Sequence, residues 1–110
     1  MTRADHQNGT SRIAEVCEKI KDYDVVINIQ GDEPLIQVEM INSLIKTFKE
    51  NPDLIMGTLK HKLEDKEEIE NLNNVKVVTD KNDYVIYFSR SIIPYPRKNE
   101  NLSYYKHIGI

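Results

Sequence analysis

Gln30, Gly31, Asp32, Glu33 and Pro34 place an amide, a glycine and two adjacent carboxylates directly after the apolar run Val25 to Ile29. Carboxylate oxygens are hard donors, and Mg²⁺ takes one or two of them while filling its remaining positions with water and phosphate oxygens. These residue types permit a metal-assisted phosphate site, and they equally permit a plain acidic turn. A second group is Ser89-Arg90-Ser91, a guanidinium between two hydroxyls. Such a fork holds a carboxylate or phosphate by paired hydrogen bonds, or makes an ordinary surface ion pair. His61 has no second His or Cys at ligand spacing, which leaves it a surface residue. Ser43, Ser89 and Ser91 lack a nucleophile elbow and placed His and Asp partners, so a hydrolase triad finds no support. Gly9, Gly31, Gly57 and Gly109 are too scattered for a dinucleotide fingerprint or a P-loop.

The elements that must position these groups belong to one domain, because 110 residues hold a single modest core. A net charge of -3 offers no general attraction to nucleic acid or to an anionic membrane. Cys17 stands alone, so no internal disulfide forms, and no apolar run approaches the roughly 20 residues that span a bilayer. Nothing in Met1 to His6 reads as an export signal, and the cytoplasm is the expected location.

Asn8-Gly9 reads as a turn, with Thr10 placed to cap a helix. Ile13, Val16, Cys17 and Ile20 recur at the spacing of one buried helical stripe, with Arg12, Glu15, Glu18, Lys19 and Lys21 facing away. Cys17 is read as a small core residue. Residues 25 to 29 predict a central strand, buried on both faces, that ends at the acidic turn. Ile41, Leu44, Ile45 and Phe48 predict a second amphipathic helix over 37 to 50, stopped at Asn51-Pro52. Residues 54 to 59 predict a strand, and the charge run 60 to 70 a solvated loop or short surface helix. Residues 75 to 78 and 84 to 88 predict a hairpin about a polar turn, residues 94 to 103 an exposed loop, and Tyr104 to Ile110 a further strand. Helix and strand alternate over the first part, which predicts an α/β fold with a parallel or mixed sheet.

Five linked motifs also carry a family resemblance. They are Thr2 to Arg12, Asn28 to Pro34, Asn74 to Val78, Tyr87 to Pro94 and Lys106 to Ile110, in that order. Together they resemble the 3-deoxy-manno-octulosonate (KDO) cytidylyltransferases along almost the whole chain. Asn8 and Ser11 depart from the family's usual Ser and acid in the first motif.

The resemblance implies a three-layer, Rossmann-like nucleotidyltransferase fold with a mixed sheet. It implies transfer of a cytidylyl group from CTP to KDO with Mg²⁺ as cofactor, for lipopolysaccharide synthesis. By the same matching Asp32 is the metal-binding aspartate, Arg3, Gly9 and Thr10 fall in the loop at the cytidine end, Gln30 lies beside the sugar, and Arg90 and His107 lie on the KDO side. Family members are about twice as long, usually dimeric around the 84 to 95 region, and open with a strand and a basic glycine-containing phosphate loop. That loop has no counterpart here, and the partner aspartate for the metal belongs to a later segment. Residues 1 to 110 are therefore expected to form one incomplete nucleotidyltransferase domain, inactive by itself. A sialic-acid cytidylyltransferase and a non-catalytic remnant or binding module are the alternatives.

Overall fold

Asn8 decides where the first helix begins. Its side-chain oxygen accepts from the Ser11 backbone N–H at 2.9 Å, and the Ser11 hydroxyl donates to the Asn8 carbonyl at 2.9 Å. Both residues that depart from the family pattern thus act as a reciprocal helix cap, and the cap sits at Asn8 rather than at Thr10. The computed structural model describes residues 1–31, 36–98 and 101–110. Its elements are α1 (Gly9–Lys19), α2 (Val38–Glu50), β1 (Leu59–Leu63), α3 (Lys66–Glu70), β2 (Lys76–Thr79), β3 (Val85–Ser89) and β4 (Tyr104–Ile108).

The four strands form one sheet in the order β1-β4-β2-β3. All three pairings are antiparallel, which corrects the parallel or mixed sheet expected from the sequence. The hairpin dictates one of them, since a short polar turn can join only antiparallel neighbours. In that turn Asp80 accepts from the backbone of Asn82 and Tyr84 at 2.8 and 2.9 Å, and Asp83 takes the left-handed conformation at φ 66°. The hairpin register runs from Lys76 opposite Ser89 to Thr79 opposite Val85, with an irregularity between Val78 and Thr79. On the far side β4 pairs with β1 from Leu59 opposite Ile108 to Leu63 opposite Tyr104. The Lys60 ammonium crosses the sheet face, donating to Thr79 at 2.8 Å and Asp83 at 2.5 Å and lying 4.7 Å from the Tyr105 ring centroid.

Two predicted strands are displaced. Residues 25 to 29 form no strand: the residue after them, Gln30, donates its backbone N–H to the Gly109 carbonyl at 3.1 Å, and Val25, Val26 and Ile29 are exposed. A β-branched run becomes a strand only where a neighbour offers a ladder, and among the described residues none flanks it. Likewise the strand expected at 54 to 59 begins only at Leu59 and continues through Lys60, His61 and Lys62, part of the stretch read as loop. Ile55 and Met56 are exposed, whereas Leu63 is buried. The charged residues suit this position because β1 is an edge, where lysines discourage pairing with another chain. The rest of the charge run does form the short surface helix α3.

Helix α2 matches its expected stripe: Leu44 is buried and Ile41, Ile45 and Phe48 are half-buried. Gly57 lets the chain pass close to this helix, because a Cβ there would sit 3.1 Å from the Phe48 ring. Helix α1 behaves otherwise. Val16 and Ile20 of its apolar stripe are exposed, Cys17 is half-buried, and the buried residue is Glu15. The buried apolar residues are Leu44 on α2, Leu63 on β1, Val77 on β2 and Tyr104 on β4, with Leu63 and Tyr104 paired across β1 and β4. Among the described residues no helix is long and apolar enough to cross a membrane.

Candidate active site

Two groups of polar side chains contain the residues singled out from the sequence. The first is gathered at one end of the sheet. His107, on the central strand β4, brings its Nε2 to 2.9 Å from the Thr58 hydroxyl, and its ring meets Phe88 edge-on at 4.9 Å. The Thr58 hydroxyl itself donates toward the carbonyls of Ile110 at 2.9 Å and Ile108 at 3.2 Å. The hydroxyl is thus shared between the two carbonyls and the His107 ring, which ties the imidazole to the end of its own strand. The Gln30 N–H to Gly109 bond sets Gln30 beside the strand end that follows His107.

Arg90 leaves β3 directly after Ser89, which pairs with Lys76, which in turn pairs with Lys106 next to His107. The Arg90 guanidinium donates to the Leu72 carbonyl at 3.0 Å and is otherwise turned to the surface. Lys76 beside it is fully buried, and its ammonium donates to the Asn71 carbonyl at 2.9 Å. Burial, and secondarily the Arg90 charge, push the Lys76 ammonium below its usual lysine range. Two cations thus grip adjacent carbonyls at 71 and 72, with no carboxylate paired to either among the described residues. Lys76 was not singled out from the sequence, although a lysine inside the β-branched run Val75 to Val78 is the signal that could have found it.

The second group lies on α1. The Glu15 carboxylate accepts from the Arg3 backbone N–H at 3.0 Å, from His6 Nε2 at 2.5 Å and from the Lys19 ammonium at 2.5 Å, with Arg3 Nε at 3.6 Å. These donors, Lys19 first, then the Arg3 N–H and His6, hold the Glu15 carboxyl down at about 2. Glu15 was expected to face away from the core, and the structure turns it inward because Arg3 and His6 fold back over the helix to meet it. Its pairing with Lys19 one turn on was visible in the sequence; the return of the upstream loop was not. Arg3 keeps an exposed guanidinium, and Gly9 and Thr10 open the helix on the exposed side.

The structure therefore places Gln30, Arg90 and His107 about one sheet end, Arg3 in a loop tied to α1, and Gly9 and Thr10 in the first turn of α1. Asp32 and its neighbour Glu33 lie outside the described residues. Among the described residues no cluster of three or more His, Cys, Asp or Glu side chains could hold a metal ion.

Comparison with known proteins decides the family. The cytidylyltransferase profile matches residues 1–110. The chain belongs to the cytidylyltransferase family. A 3-deoxy-manno-octulosonate cytidylyltransferase of Fusobacterium nucleatum is 77% identical over 110 residues, covering all of this chain and 45% of that protein. Its namesake in Francisella philomiragia is 47% identical over 118 residues, with 47% of that protein covered. Among solved structures, a CMP:2-keto-3-deoxy-manno-octonic acid synthetase complexed with CTP is 42% identical and superposes with a TM-score of 0.87, covering 99% of this chain and 44% of that one. The likeness bears out the resemblance read from the five motifs, and the cytidylyltransferase chain described here spans less than half the length of these relatives.

Proposed function

We propose that this chain forms the central part of an enzyme that transfers a cytidylyl group from CTP to KDO, releasing pyrophosphate. The observation that carries the reading is the structural likeness, at 42% identity across 99% of the chain, to a synthetase crystallised with CTP. In the reaction the anomeric hydroxyl of KDO loses its proton and forms a bond to the α-phosphorus of CTP, while the bond from that phosphorus to the bridging oxygen breaks and pyrophosphate leaves. The protein's part is positioning and charge neutralisation.

Arg3, Gly9 and Thr10 would meet the cytidine end. Gln30, His107 and Arg90 would meet the sugar acid, whose carboxylate suits a guanidinium with unused donors. The hydrogen bond between His107 Nε2 and the Thr58 hydroxyl would fix the ring's orientation beside the sugar. Asp32 supplies the donor type that Mg²⁺ takes, and one carboxylate leaves room for phosphate oxygens and water. When bound, the ion would polarise the phosphates and lower the nucleophile's pKa. The exposed side chains of β3, Ile86, Tyr87 and Phe88 among them, suit a contact with a second copy in a dimer. The cytoplasm is the proposed location.

Two experiments test this. The purified 110-residue chain, given CTP, KDO and Mg²⁺, is expected to release no pyrophosphate; turnover would overturn the expectation that it is inactive alone. A chimera in which these residues replace the matched segment of the Fusobacterium nucleatum relative is expected to make CMP-KDO. Failure to do so, or efficient use of N-acetylneuraminate in place of KDO, would overturn the assignment.

A further inference from the structure

We propose that Glu15 is a positioning residue for the nucleotide end of the site, holding the Arg3 to His6 segment in place before CTP arrives. The inference rests on the cytidylyl reading for the role of Arg3, Gly9 and Thr10, and on geometry for the anchoring itself. Glu15 and His6 leave only 9% and 6% of their side chains exposed, so their 2.5 Å contact is nearly dry. One carboxylate oxygen takes both the Arg3 N–H and His6, and the other takes Lys19. The Arg3 backbone is thereby fixed while 71% of its side chain stays exposed.

The segment from Arg3 to Asn8 is consequently tied to α1 at both ends, at its start by Glu15 and at its end by the Asn8–Ser11 cap, which leads directly into Gly9 and Thr10. Arg12 adds a hydrogen bond to the Thr2 hydroxyl at 3.3 Å. A loop left mobile must be ordered at the expense of binding energy, and fixing it beforehand removes that loss. An ionised carboxylate is suited to the task because its hydrogen bonds to charged or polarised donors are the stronger ones. A glutamate serving helix stability alone would need only Lys19, its partner one turn along. The recruitment of Arg3 and His6, from 12 and 9 residues upstream, is what points to the loop.

The test has two arms. In the 110-residue chain, hydrogen exchange reads the Arg3 amide: Glu15→Gln is expected to speed its exchange about tenfold while the amides of α1 beyond the first turn keep their protection. In the active chimera, the same substitution is expected to raise KM for CTP about tenfold, leaving KM for KDO within about twofold. If the Glu15→Gln chain does not fold, His6→Phe fills the ring's volume without the donor and is expected to shift both readouts in the same direction by a smaller factor. Unchanged Arg3 exchange in the folded variant, or equal rises in KM for both substrates, would overturn the proposal. An unsubstituted chimera that makes no product instead counts against the cytidylyl reading, and Arg3 exchange in the chain then still decides the anchoring.

Discussion

Replacing Lys76 separates what a buried ammonium does from what its stem does. The side chain is fully buried, its Nζ reaches the Asn71 carbonyl at 2.9 Å, and no carboxylate among the described residues pairs with it. Lys76→Ala and Lys76→Met both remove the ammonium. Both therefore leave the Asn71 carbonyl without this donor, a loss of about 1–3 kcal/mol, and both relieve the cost of keeping a charge out of water. These shared terms cancel in the difference between the two variants. Alanine also removes three buried methylenes at about 0.8 kcal/mol each, whereas the methionine thioether refills the space. Methionine is thus expected to be more stable than alanine by about 2–3 kcal/mol, measured as ΔG from urea unfolding followed by circular dichroism. Variants within about 0.5 kcal/mol of each other would refute the claim that the stem is packed. A pH series adds a second check. The folded-state pKa of Lys76 lies below its unfolded value, so above that folded pKa the unfolded chain binds more protons and stability rises until the unfolded value is passed. The unsubstituted chain is accordingly expected to gain on Lys76→Met as the pH climbs toward 10.5.

Three further outcomes follow from other contacts. Glu15, held at about 2 when folded against 4.5 otherwise, contributes stability that is complete above pH 4.5 and is lost as the pH falls through 2; urea midpoints at pH 5, 3 and 2 should show that slope, and Glu15→Gln should flatten it. Asn8→Ala removes the cap of α1 and should lower stability by about 1 kcal/mol, with Asn8→Ser restoring most of it in the same urea assay. Gly57→Ala pushes a methyl to 3.1 Å from the Phe48 ring and should cost about 1 kcal/mol, and the Phe48→Leu background should absorb it; a full penalty in that background would argue against the close approach.

What could be read from the sequence divides along physical lines. Helix α2 was legible because its stripe is covered by the chain's own residues, Leu44 and Phe48 packing where Gly57 passes, so period and packing agree. The hairpin was legible because Asp80 and Asp83 supply the local turn chemistry and the flanking strands are β-branched and aromatic. Residues 25 to 29 misled because hydrophobic, β-branched sequence reports a preference for a sheet interior, and here no described strand lies alongside to provide it. The reverse happened at Lys60 to Lys62, where an edge position tolerates charge that composition alone assigns to a loop. In the site, Gln30, Arg90 and His107 were named through the family motifs, and the structure sets them about one sheet end. Glu15, Thr58 and Lys76 escaped because each acts through a partner distant in sequence: Arg3 and His6, His107, and the 71 to 72 turn with Arg90.

The strand order has a consequence for how this sheet is assembled. β4, the last strand in sequence, lies between β1 and β2. The β2–β3 hairpin can close early on local contacts, but among the described residues β1 finds its strand partner only in residues 104–108, more than 40 positions further along. The two halves of the sheet are thus joined by a keystone that follows both of them in sequence. Until it is seated, β1 and the hairpin are separate pieces with open edges, and release of the Tyr104–Ile108 strand alone would undo their connection.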